Sequence, residues 1–444
     1  MGKKFLIVSN FSANQLNRPV KINDIVICFS NITNRGCRDK MGHKVTATIL
    51  FADIMDSMEM ANYYSTTKYN NFLNEFQRCM QLSISLWNKR IKQIKLAGDE
   101  LVVFYASKDV KSDILSAIAL ANTIKLLWYT GGPNYERLKE GKKILDLGVG
   151  INTGYVTYEY RTIISDLKRH IRRRKTFEGF PISLAKRIES FSRNGKYSRI
   201  MLGHQTVTEL NKCYHTYGYE SMGLQKFKGM SQEVPIFELK SCYSFDAEVI
   251  AERKNLDWIV KRLERIRLSD PSNIWLLMIL IDIYTNKRKP KKVEEFCREA
   301  LAIEDNLPNI HYELGDVLQE QKKHKEAIAE FDKVIYYRWD YWHSYISKSA
   351  CLIFLGQYDE CVSTCVNAIH YIPTRLAKDF VTPLYYNIAA AYARKGEKRK
   401  ALTNIKKALK LNRSESLKSL KKDKDKDFVN LYANPEFQQI RRGK

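Results

Sequence analysis

The chain has 444 residues and a formal net charge of +25, and 44% of its residues are hydrophobic while 28% are charged. This length predicts two or three domains, and the composition is that of a globular protein with apolar cores, which excludes a largely disordered chain. The apolar runs are too short for a membrane-spanning helix, and the N-terminal residues lack the features of a signal peptide, so we expect no membrane anchor. The excess of lysine and arginine favours a polyanionic ligand, and nucleic acid, an acidic membrane surface and a nucleoside triphosphate all remain open.

The nine cysteines are scattered along the chain, and no two of them form a Cys-x-x-Cys pair. Zinc sites and disulfide frameworks both need a regular cysteine spacing, which this sequence lacks. The cysteine pattern therefore predicts a reduced, cytoplasmic protein without a zinc site.

Regular patterns begin at Val45, after a leader of 44 residues that contains one short apolar run. The spacing of the apolar residues and of the turn residues predicts alternating strands and helices. In chain order these are a strand at 45–54, a helix at 57–87, a hairpin at 91–106 that turns at Gly98 and Asp99, a helix at 110–128, a loop at 130–143, a strand at 144–154, a helix at 180–196 and short strands at 199–203 and 234–239. This order predicts a ferredoxin-like α+β domain with βαββαβ topology and its helices on one face of the sheet.

After about residue 245 the strand signals end and helical periodicity dominates. One small-residue position recurs with spacings of 34, 34 and 40 residues, at Val293, Ala327, Cys361 and Ala401. The six additional residues of the last spacing fall in the segment TRLAKDF at 374–380. A helix pair repeated every 34 residues resembles the tetratricopeptide repeats, so we expect an all-α solenoid with a surface for a protein or peptide ligand.

Two acidic residues stand where strands end. Asp53 lies at the end of the predicted strand 45–54, and Asp99 lies in the hairpin turn. If the two strands are neighbours in one sheet, the carboxylates meet at one edge and repel each other unless a cation lies between them. This pattern favours a site for Mg²⁺ or Mn²⁺, although Asp53 as a helix N-cap and Asp99 as a turn former remain an alternative.

Four motifs, LFADIMDS, KLAGDELVVF, LGVGINTG and AKRIES, occur in this order between residues 49 and 190. Together they resemble the class III nucleotidyl cyclases, the family of the adenylyl and guanylyl cyclases, over roughly residues 45–240. The resemblance implies a homodimer or pseudo-heterodimer with active sites at the interface between its two halves. It also implies attack of the ribose 3′-hydroxyl on the α-phosphate of a nucleoside triphosphate, with loss of pyrophosphate.

The resemblance assigns the metal and phosphate positions. It implies that Asp53 and Asp99 bind two Mn²⁺ or Mg²⁺ ions and that the backbone carbonyl of Ile54 adds a ligand. It further implies that the backbone amides from Met55 to Met58 hold phosphates at a helix N-terminus, where N–H groups are unpaired.

The resemblance also assigns the remaining site residues. Lys95 and Thr176 stand at the two base-reading positions, and Phe51 is placed with the substrate-binding residues. Arg187 stands at the position of the arginine that stabilises charge on the transferred phosphate. Ser183 stands where the purine cyclases have an asparagine that orients the ribose, and Lys228 is expected to contact the triphosphate.

The block EGFPISLAKRIESFSR at 178–193 is similar to the pyrimidine cyclases of bacterial antiphage defence, which make cyclic UMP or cyclic CMP. Ser183 and an enlarged segment at 155–178 also depart from the purine-cyclase pattern. That segment contains a basic run at 167–175, which is either a solvated face, a phosphate clamp or a nucleic-acid contact. Against this, the pair Lys95 and Thr176 often accompanies ATP. We therefore expect UTP as substrate in a defence-signalling role, with an adenylate cyclase or a catalytically inactive scaffold as alternatives. A nucleic-acid binder is suggested by charge alone and is not expected.

These patterns together predict the domain organisation. The expected divisions are a leader at 1–44, a cyclase domain at 45–240, a linker at 241–268, tetratricopeptide-like repeats at 269–415 and a C-terminal tail at 416–444.

Overall fold

The computed structural model describes residues 43–57, 65–165, 170–212, 217–240, 256–422 and 427–443, and for 159–175 and residue 256 it describes the backbone alone. The chain forms two compact units. The first holds the residues up to Glu209 together with Ser221–Glu238, and the second holds Leu210–Glu220 together with the residues from Leu239 onward. The predicted leader, apart from its last two residues, and the first half of the predicted linker lie outside the described residues.

The N-terminal elements alternate strands and helices as the sequence predicts. In chain order they are β1 His43–Ile54, α1 Thr66–Trp87, β2 Ile91–Ala97, β3 Glu100–Tyr105, α2 Val110–Thr130, α3 Gly132–Lys139, β4 Leu147–Ser165, β5 His170–Glu178, α4 Phe180–Phe191, β6 Ile200–Gly203, α5 His204–Asn211, β7 Tyr219–Gln225 and β8 Val234–Leu239. The predicted order strand, helix, hairpin, helix, strand is confirmed, and β5, α5 and β7 are additions to it.

The predicted loop at 130–143 is wrong, because its centre is the helix α3. A proline lies in the first turn of α3, where its missing N–H costs no hydrogen bond. The buried Asn134 side chain joins α3 to the chain ahead of β4, since its Oδ1 accepts from the Leu145 amide at 2.7 Å and its Nδ2 donates to the Leu145 carbonyl at 3.0 Å. Sequence reasoning took the glycines and the proline as turn signals and missed this anchoring.

The strands form one sheet in the order β2-β3-β1-β4-β6-β8-β7, with β5 paired to the outer part of β4. β1 is central and runs antiparallel to both of its neighbours, β3 and β4. In the register of these pairs, Asp53 lies opposite Glu100 of β3 and opposite Gly148 of β4. The enlarged segment of the sequence is therefore a long hairpin of β4 and β5, which pairs from Thr157 with Glu178 to Ser165 with His170.

Helices cover both faces of this sheet, which corrects the expectation of one covered face. On one face, Ala185 of α4 packs with Phe51, Val102 and Phe104. Leu50 points to the other face by strand alternation and is also fully buried. That face is covered by α2, which contacts β1, β4 and the helix α1.

The second unit contains helices in antiparallel pairs. From Leu256 onward they are α6 Leu256–Ser269, α7 Ile274–Asn286, α8 Pro290–Ile303, α9 Pro308–Glu320, α10 His324–Tyr337, α11 Trp342–Phe354, α12 Tyr358–Tyr371, α13 Thr382–Arg394, α14 Lys398–Leu411, α15 Arg413–Lys422 and α16 Pro435–Arg441. The second half of the segment predicted as a linker is thus the helix α6, whose Leu263 and Ile266 are buried.

The recurring small residues occupy one structural position. Each is the fourth residue of the second helix of a pair, and each is almost fully buried: Val293, Ala327, Cys361 and Ala401. The six additional residues of the last spacing fall in a segment that forms a 3-10 turn at Thr374–Leu376 and a π turn at Ala377–Val381. The 34-residue period read from the sequence is therefore the period of the helix pairs.

Among the described helices, none is by itself long and apolar enough to cross a membrane, and α2 with α3 meets the criteria of length and composition only as a pair bent by 42°.

Candidate active site

The two predicted metal aspartates lie at the same edge of the sheet. Asp53 is the penultimate residue of β1, and Asp99 follows Gly98 in the two-residue turn between β2 and β3. Gly98 has a φ of +61°, which a glycine adopts at little cost in such a turn. The structure therefore brings Asp53 and Asp99 together, as their positions in the sequence predict.

Electrostatics indicate that this edge is crowded with negative charge. Burial raises the pKa of Asp53, the charge of Lys186 opposes the rise, and the charges of Asp99 and Glu100 add to it. The pKa of Tyr69 on α1 is raised by burial and then by Asp99 and Asp53, so this hydroxyl also faces the site. Like charges held this close disfavour the ionised forms unless a cation joins them.

A lysine that the sequence reading did not assign lies at the centre of these carboxylates. Lys186 Nζ is 3.1 Å from Asp53 Oδ2, 2.6 Å from Glu100 Oε2 and 3.0 Å from Glu189 Oε2. The only sequence signal was its place in AKRIES, where Glu189 follows three positions later on the same face of α4. Glu100 and Glu189 were missed for the same reason, since their convergence depends on how α4 lies across the sheet.

The glycines of the motif LGVGINTG explain how α4 comes so close. A Cβ at Gly150 would lie 2.3 Å from the Glu189 amide nitrogen and 2.5 Å from the Ala185 carbonyl oxygen, both of which belong to the backbone of α4. A Cβ at Gly148 would lie 2.9 Å from Glu189 Oε1. Because these positions have no side chain, the helix rests directly on β4 and delivers Lys186 and Glu189 to the aspartates.

The residues at this edge fit a divalent metal ion. Carboxylate and carbonyl oxygens are the ligands that Mg²⁺ and Mn²⁺ prefer. Asp53 Oδ1 is buried and has no hydrogen-bond partner among the described residues, whereas Asp53 Oδ2 accepts from Lys186. Ile54, whose carbonyl is the third expected ligand, is the buried last residue of β1. In the described part of the chain no cluster of three or more His, Cys, Asp or Glu side chains forms a closed metal cage, so substrate or water would have to supply the other ligands.

The expected phosphate cradle is corrected at its first residue. The Met55 amide donates to the Asp146 carbonyl at 3.1 Å and is not available to a phosphate. Two ion pairs hold Asp146 in place for this contact, because its carboxylate pairs with Lys125 at 2.5 Å and with Arg199 at 2.9 Å. Burial alone would raise the pKa of Asp146, but the charges of Lys125 and Arg199 lower it overall. Met58, the last residue of the expected cradle, lies outside the described residues.

The expected base-reading residues lie on two different strands, Lys95 on β2 and Thr176 on β5. Lys95 Nζ is 5.7 Å from the centre of the Phe104 ring, which stacks on Phe177 at 5.0 Å, and Thr176 is the half-buried neighbour of Phe177 in β5. Phe51 is almost fully buried between the sheet and α4, with Lys186 Nζ 5.9 Å from its ring centre. Lys95 is thus linked through the Phe104 ring to Phe177, and Thr176, the preceding residue of the strand, points to the opposite face by strand alternation.

The other expected site residues form a second group around α4. Arg187 donates through Nη2 to the Lys228 carbonyl at 3.1 Å and through Nη1 to the Ser183 carbonyl at 3.4 Å. The Ser183 and Lys228 side chains are exposed. Adjacent residues of α4 therefore diverge, since Lys186 turns to the aspartates and Arg187 turns to the segment that contains Lys228.

Comparisons with known proteins match both parts of the chain. The family model of the adenylate and guanylate cyclase catalytic domain matches residues 40–241, and a tetratricopeptide-repeat model matches residues 308–338 and 382–415. No curated protein sequence matches the chain. The catalytic-domain match spans all of the site residues assigned from the sequence.

Among solved structures, the adenylyl cyclase CyaB from P. aeruginosa is similar with 21% identity and a TM-score of 0.38, over 45% of this chain and 95% of that one. The guanylyl cyclase Cya2 is similar with 23% identity and a TM-score of 0.36, over 45% of this chain and 93% of that one. MamA is similar with 19% identity and a TM-score of 0.35, over 39% of this chain and 98% of that one.

Proposed function

We propose that this chain, which carries a class III adenylate and guanylate cyclase catalytic domain followed by tetratricopeptide repeats, converts a ribonucleoside triphosphate to its 3′,5′-cyclic monophosphate and pyrophosphate. The observation that carries the proposal is the pair Asp53 and Asp99 at one sheet edge, where the buried Asp53 Oδ1 has no hydrogen-bond partner among the residues that the structure describes. An inactive scaffold would have no need to keep this costly arrangement of charge.

In this proposal the chain's own residues bind and orient the substrate. Asp53, Asp99 and the Ile54 carbonyl would hold two Mg²⁺ or Mn²⁺ ions. When bound, such ions activate the 3′-hydroxyl and neutralise the departing pyrophosphate. Arg187 supplies a planar guanidinium for the charge that develops on the transferred phosphate. Protein side chains form no covalent bond to the substrate, so rate enhancement comes from position and charge.

Ser183 and Lys228 complete the catalytic group around Arg187 in this proposal. Their exposure leaves the Ser183 hydroxyl free to approach a ribose and the Lys228 ammonium free to approach a triphosphate. Phe51 contributes indirectly, because its buried ring lies under the Lys186 ammonium group.

UTP is the proposed substrate, and the product is a second messenger of antiphage defence. The support comes from the block at 178–193, from Ser183 and from the enlarged β4–β5 hairpin. Lys95 donates equally well to a uracil carbonyl or to a purine ring nitrogen, and the Thr176 hydroxyl suits either base edge. ATP is the second candidate, because Lys95 and Thr176 together often accompany it.

The proposed active unit is a homodimer in which each site uses residues of both chains. Two exposed aromatic side chains near the start of α4, Tyr155 and Phe180, support a contact surface on this side of the domain, with exposed fractions of 67% and 56%. The directions of two adjacent side chains support an active site shared between chains. Within one chain, Lys186 contacts Asp53, whereas Arg187 points away and contacts the Lys228 carbonyl.

The repeats are the proposed docking surface for a protein or peptide that controls the enzyme. We place the enzyme in the cytoplasm, where nucleoside triphosphates are abundant. The five cysteines in the described segments, Cys79, Cys297, Cys351, Cys361 and Cys365, are buried free thiols, as suits a reducing compartment.

The test is a competition among substrates. The full-length protein is incubated with equal concentrations of ATP, GTP, CTP and UTP and Mn²⁺, and the cyclic products are identified by mass spectrometry. We expect cyclic UMP to dominate, because a site built for one base edge leaves buried polar groups unpaired with another, at about 1–3 kcal/mol each. Cyclic AMP as the major product would replace the UTP proposal with that of an adenylate cyclase, and no cyclic product would refute the cyclase proposal.

A further inference from the structure

The ion-pair group around Lys186 has an unusual balance of charge. Three carboxylates, of Asp53, Glu100 and Glu189, lie within 3.1 Å of a single ammonium group. Asp99 adds a fourth negative charge that acts on Asp53. One cation therefore contacts three carboxylates while a fourth acts on Asp53, and Asp53 Oδ1 receives no hydrogen bond from any described residue.

The neighbouring cations are committed elsewhere. Arg193 pairs with Asp56 at 2.7 Å, and Arg199 pairs with Asp146 at 2.9 Å. The Asp146 group provides a structural comparison within the same domain, because there two cations, Lys125 and Arg199, surround one carboxylate. Cations outnumber the carboxylate in that group, whereas carboxylates outnumber the cation in the group around Lys186.

Lys186 is the member of this group that has room to move. Burial alone would lower its pKa, but the hydrogen bond to Glu100 and the charges of Glu189 and Asp53 raise the pKa above its usual value. Its side chain is 36% exposed, so the ammonium can leave along its flexible stem without crossing the core. By contrast, the Lys125 side chain is 1% exposed and has no such path.

Resting on the proposed cyclase activity, we propose that Lys186 is a built-in counter-ion that holds the metal-binding carboxylates in the metal-free chain and is exchanged for the divalent ion. Lys186 and the metal then compete for Asp53. The released ammonium points into solvent beside the site, where the triphosphate of the incoming nucleotide is its natural partner. Metal and nucleotide consequently both favour the state of the site in which Lys186 has left the carboxylates. Without nucleotide, metal binding is weakened.

The test measures Mn²⁺ binding to the full-length protein in the absence of nucleotide, from the loss of the electron paramagnetic resonance signal of free Mn²⁺. The variants are Lys186→Met and Lys186→Gln, which remove the charge, and Lys186→Arg, which keeps it. Lys139→Met on α3 is the matched control, because Lys139 contacts Glu136 and the Tyr135 ring of its own helix. Circular dichroism checks that each variant is folded.

We expect Lys186→Met and Lys186→Gln to bind Mn²⁺ about tenfold more tightly than the unmodified protein. This factor corresponds to the removal of a competitor that occupies the site about nine-tenths of the time. Lys186→Arg and Lys139→Met should bind as the unmodified protein does. In EDTA, the two charge-removing variants should unfold at a lower temperature, because their carboxylates lose their counter-ion, and Mn²⁺ should raise that temperature more than in the unmodified protein.

Two results would overturn the inference. If the unmodified protein binds Mn²⁺ and both charge-removing variants bind it equally or more weakly, Lys186 is not a competitor, and the proposed cyclase function stands. If no variant binds Mn²⁺ and the unmodified protein makes no cyclic nucleotide, the proposed function fails together with the inference.

Discussion

At the scale of single residues, polar groups that the fold leaves unsatisfied are the most informative. Asp53 Oδ1 is one, and the other clear case is Gln93 of β2, which is 2% exposed and has no hydrogen-bond partner for Oε1 or Nε2 among the described residues. It lies beside a register shift in the pairing of β2 with β3 and opposite Phe104. A buried amide without partners costs free energy that the rest of the domain must supply.

Replacing Gln93 with leucine should therefore stabilise the domain. We expect Gln93→Leu to raise the free energy of unfolding by about 1–3 kcal/mol, because the apolar side chain has a similar size and no group to satisfy. Thermal unfolding measures the change, with Gln205→Leu as control, since Gln205 is exposed and pairs only with Glu209 on its own helix. A lower unfolding temperature for Gln93→Leu than for the control would mean that the amide has a partner.

Single residues also mark the limit of the sequence reading. Asp53 and Asp99 could be found, because strand ends and hairpin turns are local features with local signals. Lys186, Glu100 and Glu189 could not, because their meeting depends on the packing of α4 against Gly148 and Gly150. A glycine in a strand signals a close approach, but it does not identify the element that approaches.

At the scale of elements, the helix pairs of the second unit repeat one turn. The residue before the second helix's N-cap has a positive φ in four successive pairs, at Arg288, Lys322, Gly356 and Gly396. The sequence indicated the turn only at the two glycines, because a left-handed backbone at lysine or arginine leaves no signal. The loop predicted at 130–143 failed for a related reason, since turn residues were read without the tertiary contacts of Asn134.

Two substitutions at these turns should change the stability in opposite directions. A Cβ at Gly356 would meet nothing within 4 Å, so Gly356→Ala should destabilise only through its φ of +76°, by about 1–2 kcal/mol. Lys322→Gly should stabilise by about 0.5–1 kcal/mol, because relief of the left-handed strain exceeds the greater freedom of glycine in the unfolded chain.

The measurement is the thermal unfolding of the full-length protein for each variant. Opposite shifts of the unfolding temperature are expected for the two substitutions. Shifts in the same direction would show that contacts of the side chains, and not the shared backbone conformation, determine the stability of these turns.

At the scale of the whole molecule, the sequence predicted an α+β cyclase fold followed by an all-α solenoid, and both are confirmed by the structure and the family matches. The long periodic signals made this possible, because a 34-residue period and four ordered motifs extend over many residues. The sequence did not predict that helices cover both faces of the sheet. The pattern of apolar residues along a strand does not specify which helix packs on each face.

The proposed sharing of active sites between two chains makes a prediction about mixed dimers. A chain with Asp53→Ala and a chain with Arg187→Ala should each be inactive, and an equimolar mixture should recover about a quarter of the normal activity, because half of the dimers are mixed and each has one intact site. Cyclic nucleotide formation is measured after the chains are mixed, and exchange of subunits is verified with differently tagged chains. Mixed dimers that form without any recovered activity would contradict the shared site.

The central claim is that Asp53 and Asp99 are the metal-binding carboxylates of a nucleotidyl cyclase. The direct measurement is the rate of cyclic nucleotide formation by Asp53→Ala and by Asp99→Ala at saturating Mn²⁺. The control is Asp109→Ala, which loses the N-cap of α2 and a partly exposed ion pair with Arg90. Both site variants should lose at least about a thousandfold in rate, because each removes charge stabilisation that is worth several kcal/mol in the transition state, while the control keeps its rate. Unchanged turnover in either folded variant would contradict the account.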